Sequence, residues 1–322
     1  MLGRLTQGPA GAGGLSLLLL VGALALPIPF LPLSLLVPLP LLLVGLRGGV
    51  GVAAQAVMPL VIVSFFLKPG LVLPLTVFLY YGGFPILATW LIHGGWKVSQ
   101  LLSIVFVVTV AAFTLLVFLS ALVDLPIDEV VGTRINEVRD ELIASTEAIP
   151  ELDAMAKAEA RKLFEALAQS ITLLFPGAFM AGWFAMQSGN LVLAQSAISR
   201  REGSRLIPED WTRLRLPFAL IWGVITMAVL AFIGSGWVRY LGLNLGLFLA
   251  LPYFFQGLAI LQASFRLYRV PGLLRGTLYA TMLIWTEVLV LMVFLGLFDT
   301  WVDFRRRFRL LPEEDGTSAR ED

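Results

Sequence analysis

Apolar positions along this chain come in long runs cut by short polar breaks. They do not show the alternation or one-face periodicity of a soluble domain. Runs without a charge occupy Leu15–Leu46, Gly48–Leu67, Pro69–Ile92, Val98–Val123, Ala166–Ser199, Leu216–Val238 and Tyr240–Phe265. A last run, Gly276–Phe298, is interrupted only by Glu287 at its midpoint. Each is long enough for the roughly 20 residues that cross a hydrocarbon core. Leu15–Leu46 exceeds one crossing and holds prolines at 27, 29, 32, 38 and 40, which predicts a helix at 15–31 and a shorter, re-entrant type of segment at 33–46. A cleavable signal is the competing reading, with Leu15–Gly22 as apolar region and Ala23-Leu-Ala25 as cut site. The single Arg4 before it and the apolar run beyond the cut weigh against cleavage.

One stretch breaks the pattern. Asp124–Glu165 carries eleven acids and five bases, a net charge of −6. Within it Ile127, Val131, Ile135, Val138 and Leu142 recur at helical spacing, so they share one face. Pro150 suits the first turn of a second helix carrying Leu152, Met155, Leu163 and Leu167. These signals predict an amphipathic helical hairpin outside the bilayer. The expected fold is therefore all-α: a polytopic transmembrane bundle of eight to nine spans with one extramembrane hairpin. Its expected parts are a disordered lead-in at 1–14, a membrane core at 15–199 that includes the hairpin 124–165, a three-span unit at 200–298 and a polar tail at 299–322.

Composition agrees with the pattern. Hydrophobic residues make up 58% of the 322 and charged residues 14%, where soluble domains carry about a quarter. A net charge of +1 without a basic, aromatic stripe gives no basis for nucleic-acid binding. No cysteine and a single histidine, His93, exclude disulfides, thiol catalysis and a His-rich metal site. Walker A, Gly-x-Gly-x-x-Gly and Gly-x-Ser-x-Gly motifs are all missing, so no enzyme, cofactor or metal is expected. Lys/Arg bias sets orientation. Nine spans with the N-terminus inside put Arg47, Lys97 and the 200–215 and 266–275 loops in the cytoplasm and the acidic hairpin outside. That topology strands Arg305, Arg306, Arg307 and Arg309 on the wrong side.

A carboxylate at mid-membrane depth is costly, which makes Glu287 a candidate ligand or proton site. Gly276, Ala280 and Ile284 form a mostly small stripe leading to it, predicting that it turns toward the bundle. Trp183, Gln187 and Asn190 stand at i, i+4 and i+7, a polar and aromatic stripe able either to hold a small molecule or to glue helices together. Gln256 and Gln262 share that ambiguity, and so does Asn244. His93 lies between Trp90 and Trp96 at a membrane edge. Gly45-x-x-x-Gly49, Gly242-x-x-x-Gly246 and Gly272-x-x-x-Gly276 fit close helix approach. The collar after Phe298, with Asp299, Asp303 and three arginines, reads either as a latch or as a stop signal with snorkelling arginines.

Tyr253-Phe-Phe-Gln-Gly-Leu-Ala-Ile260, the following Arg-to-Pro region at 266–271, Gly296-Leu-Phe-Asp299 with Asp303-Phe-Arg-Arg306, and the Pro-rich Leu35–Gly51 stretch resemble the YybS-like family of bacterial integral membrane proteins. Its signature falls here on Gln256, Gly257, Asp299, Asp303, Arg305 and Arg306. The family's N-terminal half is similar to the S components of energy-coupling-factor transporters, six-helix proteins that bind vitamins or metal ions and dock on an ATP-driven module. The resemblance implies an S-like core at 15–199. The Ala-x-x-x-Ala docking motif common in the first S-component helix is absent from 15–31, while Ala181-x-x-x-Ala185 stands in a later helix. The expected protein is a multi-pass, inner-membrane binder or transporter of a small solute. Its partners would be the bilayer and an ATP-driven module or other membrane proteins. The alternative is a non-transporting scaffold acting through the acidic hairpin and the Arg-rich C-terminus.

Overall fold

The computed structural model describes residues 8–25, 33–67, 70–96, 98–122, 127–202 and 211–307. Expectations about Lys68, Lys97, the 203–210 loop, the tail beyond 307 and the start of the lead-in fall outside those residues. Every regular element among the described residues is helical: α1 Pro9–Ala25, α2 Pro38–Gly48, α3 Val50–Leu67, α4 Val72–Val77, a π-turn Phe78–Gly82, α5 Gly83–His93, α6 Val98–Leu122, α7 Ile127–Glu147, α8 Ala154–Glu202, a 3₁₀ turn Trp211–Arg213, α9 Leu220–Ile233, α10 Gly236–Leu267, α11 Gly272–Ile284, α12 Thr286–Val302 and α13 Phe304–Arg307. Five helical segments are long and apolar enough to cross a membrane: Val50–Leu67, Val72–His93, Gln100–Phe118, Ala154–Ile198 and Gly236–Leu267.

Several boundaries differ from the sequence pattern. The first helix begins at Pro9 rather than Leu15. Gly13 lies against the Ala56 carbonyl and Pro59 of α3, where a side chain has no room. The 33–46 segment becomes a 3₁₀ turn followed by the 11-residue α2, tied to α1 where the Ser16 hydroxyl donates to the Val37 carbonyl (2.8 Å). Pro150 sits in the turn between α7 and α8. Asp153 caps α8 instead, accepting the Ala156 N–H at 2.7 Å, because a short acceptor side chain satisfies an orphan donor that proline cannot. From there α8 runs unbroken for 49 residues, with Pro176 inside it.

Alpha-8 is the spine. It packs on α2, α6, α7 and α10. Its middle is held by aromatic contacts: Phe106 stacks on Phe248 at 4.4 Å, and Phe184 meets Phe248 and Phe255 edge-on. Gly177 lets α10 come close enough for the Asn244 amide to bridge the two helices. Its Oδ1 accepts the Gly177 N–H (2.8 Å) and its Nδ2 donates to the Leu173 and Tyr240 carbonyls (2.9 Å each).

Two shorter helices cover the two halves of α10. Antiparallel α9 lies on the first half, with Gly242 against Leu230 and Ala231 and Gly223 against Leu249. Alpha-12 lies on the second half, where Gly257 meets the Met292 carbonyl and Gly296 meets that of Tyr253. The predicted single span Gly276–Phe298 is not one helix. Alpha-11 and α12 meet at 104° across Trp285, whose backbone is extended (φ −111°, ψ 106°). Ile284 and Thr286 on either side are β-branched and weaken the helix there. The glycine contacts hold α12 to α10, while Arg275 ties the start of α11 to the carbonyls of Val270 and Phe265. The start of α11 and the end of α12 therefore both lie at the C-terminal end of α10.

Candidate functional site

The stripe on α8 is buried: Trp183 is 3% exposed, Gln187 0% and Asn190 2%. The indole N–H of Trp183 (2.8 Å) and the amide of Gln187 (2.9 Å) both donate to the Tyr80 carbonyl, inside the π-turn. A π-turn widens the helix and changes the i→i+4 pairing, so its carbonyls are placed to accept from a neighbouring helix, and such turns recur at functional sites. Asn190 Nδ2 donates to the Leu35 carbonyl (2.6 Å) and to that of Met186 (2.7 Å). The donors of the stripe are thus spent on backbone carbonyls. Gln187 Oε1, Ser188 Oγ and Asn190 Oδ1 stay buried without a partner.

Beside this junction lies a cavity of about 310 Å³ between α4 with the π-turn, α6 and α8. Aromatic walls come from Tyr80, Tyr81, Phe113, Phe179 and Trp183, and Thr109 and Trp183 form its buried floor. No lining residue is charged. That volume is at the lower end of small-molecule sites.

A second polar cluster lies at the C-terminal ends of α10 and α12. Asp299 Oδ2 accepts from Arg305 Nη2 (2.7 Å) and Gln256 Nε2 (3.0 Å), and its Oδ1 accepts the Phe304 N–H (2.9 Å). Gln256 also donates to the Gly296 carbonyl (3.1 Å) and accepts the Leu216 N–H (3.0 Å). Arg305, 1% exposed, donates to the Thr212 carbonyl (2.9 Å), while its Nε has no partner. The chain turns at Asp303, which has a left-handed backbone (φ 47°), and the Asp303 carboxylate takes both oxygens' bonds from Arg215 (2.9 Å). Arg266 reaches the Thr212 hydroxyl from α10. Gln256, Gly257, Asp299, Asp303 and Arg305 thus meet in one clasp, and the Arg306 N–H adds a bond to Asp303 (3.3 Å). The desolvation of two buried charges offsets much of their attraction, so such a pair adds little net stability while the loss of one partner is costly.

Glu287 stands apart from both clusters. The inward turn expected of it is not what the structure shows: the break at Trp285 puts it in the first turn of α12, exposed, rather than mid-helix against the bundle. A helix N-terminus favours a carboxylate, which offsets part of its cost. Gln262 is half-buried on α10 and does not line the cavity, nor does Gln256. His93 is exposed, its Nδ1 within 2.8 Å of the Thr89 carbonyl. Among the described residues no three His, Asp or Glu side chains converge on a metal position. Sequence reasoning passed over Tyr80, Thr212 and the buried state of Arg305. The Tyr80 acceptor is a backbone atom without a side-chain signature. Gly257 and Gly296 pair across two helices, so a search for Gly-x-x-x-Gly within one helix misses them.

A family model described as predicted membrane protein (DUF2232) matches residues 14–300. No curated protein matches the chain. No solved structure matches it either.

Proposed function

The chain belongs to this family of predicted membrane proteins, DUF2232, and from that premise we propose that it is a multi-pass inner-membrane protein that binds a small molecule within its bundle, in the manner of an S component and without catalysing a reaction. The observation that carries the reading is the cavity beside Trp183, walled by aromatics and set against a π-turn. Aromatic walls with few polar groups suit small-molecule retention. Handing the molecule on would fall to an ATP-driven partner, since the chain carries no nucleotide motif.

The reading includes eight crossings and one re-entrant pair, with the shorter apolar helices α1, α2 and α9 taken as crossings beside the five long segments. The crossings are α1, α2, α3, α4–α5, α6, α8, α9 and α10, and α11–α12 enters and leaves on one side. Arg305 and Arg266 share Thr212, and Arg215 pairs with Asp303, so the arginines of three segments gather at one end. In this arrangement they all face the cytoplasm, and the conflict with the Lys/Arg rule disappears. Alpha-7 and the first turns of α8, carrying the acids, then project from the opposite face as the extramembrane hairpin.

Thermal unfolding of the purified protein against panels of water-soluble and membrane-soluble small molecules tests the binding reading. Stabilisation by a class of molecule, lost when Ala112→Trp fills the cavity, supports it. The absence of any Ala112-dependent stabilisation across both panels refutes it. One observation favours the scaffold reading. Val138 and Leu142 on α7, and Leu163 and Leu167 on α8, are 43–56% exposed although their spacing gives each helix an apolar face. Co-purifying proteins lost on deleting 126–162, with no ATP-driven module among them, would favour that reading.

A further inference from the structure

We propose that the cavity beside Trp183 takes the hydrocarbon chain of a bilayer lipid, entering sideways between α4 and α6; this rests on the binding reading above and narrows its ligand class. The lining offers a polar ligand almost nothing. The Thr76 hydroxyl donates to the Val72 carbonyl (2.8 Å) and that of Thr109 to Val105 (2.7 Å). The Trp183 N–H is taken by the Tyr80 carbonyl, and the Tyr81 side chain is hydrogen-bonded to Ser34. Tyr80 adds one hydroxyl more. A sugar, amino acid or charged vitamin moved here would give up its bonds to water with no set of partners to replace them. A metal ion or an anion would meet no counter-charge. Hydrocarbon loses nothing by entering, and aromatic and aliphatic walls offer it dispersion contacts along its length.

The mouth fits that route. Thr109 and Trp183 are buried, but the other nine lining residues are partly exposed, so the cavity has a floor and an open side. Val72 and Leu75 on α4 and Leu115 and Phe118 on α6, each within about a turn of a lining residue along its helix, are exposed by 37–59%. Apolar side chains exposed on transmembrane helices face lipid. The opening therefore leads into the acyl region of the bilayer rather than into water. Thr76 lies only a turn from the start of α4, so a chain entering here keeps its headgroup close to the interface on the hairpin side.

Photolabelling in lipid nanodiscs tests the assignment, using phosphatidylethanolamine with a diazirine at the end of one acyl chain and, in a separate arm, a diazirine-bearing polyprenyl phosphate. The expected result is adducts on peptides holding Phe113 and Leu116 of α6 and Phe179 and Trp183 of α8, lost in Ala112→Trp. Surface labelling at Phe232, 90% exposed on α9, stays unchanged and reports that the variant is folded. Phe113→Ala, which enlarges the cavity, keeps the adduct on α8. The arm that labels the floor distinguishes an acyl from a prenyl source. Cavity adducts that persist unchanged in Ala112→Trp, or labelling there no stronger than at Phe232, would overturn the proposal. If a water-soluble molecule gives Ala112-dependent stabilisation while neither lipid labels the floor, the hydrocarbon assignment fails and the binding reading stands. If neither result appears, both fail.

Discussion

Replacing Asp299 by alanine removes the anion from a pair whose side chains are 0% and 3% exposed, Arg305 and Asp299. Three bonds end on that carboxylate, from Arg305, Gln256 and the Phe304 backbone. Neutral bonds alone would contribute about 1 kcal/mol each. The larger effect is the guanidinium left behind. Arg305 would keep only its bond to the Thr212 carbonyl, buried and without a counter-charge. Breaking one side of a buried pair costs about 3–5 kcal/mol. The Arg215–Asp303 pair, 58% and 32% exposed, supplies an internal control. Its loss in Asp303→Ala should cost about 0.2–1 kcal/mol from the ion pair. Equilibrium unfolding by SDS titration in mixed micelles, followed by tryptophan fluorescence, gives the comparison. The double variant Asp299→Ala with Arg305→Met should be less destabilised than Asp299→Ala alone, because the stranded charge is gone. An Asp299→Ala cost no larger than that of Asp303→Ala, or a double variant as unstable as the sum of the singles, would refute the reasoning.

Further predictions follow from the close contacts and the helix ends. Gly257→Ala and Gly296→Ala each set a methyl against a facing backbone carbonyl on a helix that has no side chain to move aside. Each should lose about 1–3 kcal/mol or more in the same titration, whereas Gly272→Ala, open on all sides, should change little. Asn244→Ala removes the bonds that tie α10 to the Gly177 N–H and the Leu173 carbonyl of α8, at a cost of about 1–3 kcal/mol in thermal or SDS unfolding. The chain has no cysteine, so single-cysteine variants report sidedness without background. Tyr268→Cys and Arg307→Cys should react with a membrane-impermeant maleimide from the same face, and Glu141→Cys from the opposite one. Opposite labelling of positions 268 and 307 would restore a full last span.

The membrane class and most helices were legible from charge-free runs, because the cost of a charge in hydrocarbon writes itself into composition. Helix α7 and the first turns of α8 were legible from spacing, and Val138 and Leu142 on the shared face of α7 are exposed. The break at Trp285 was not legible. No glycine or proline marks it, and it follows from two tertiary attachments, α12 to Gly257 and α11 to the end of α10. For the same reason Glu287 read as a mid-span acid. Burial of Arg305 was hidden as well. A run of arginines after an apolar segment has the composition of a stop signal, and only the turn at Asp303 carries one of them inward. Trp183 was found by its spacing, but its role beside a cavity depended on the Tyr80 π-turn, which leaves no side-chain pattern in the sequence.

The most direct test of small-molecule binding inside the bundle is native mass spectrometry of the protein released from its own membranes in mild detergent. The account predicts a discrete added mass on the wild-type chain that is missing from Ala112→Trp and present in Asp299→Ala. A bare polypeptide mass in all three, or an adduct indifferent to Ala112→Trp, would contradict it.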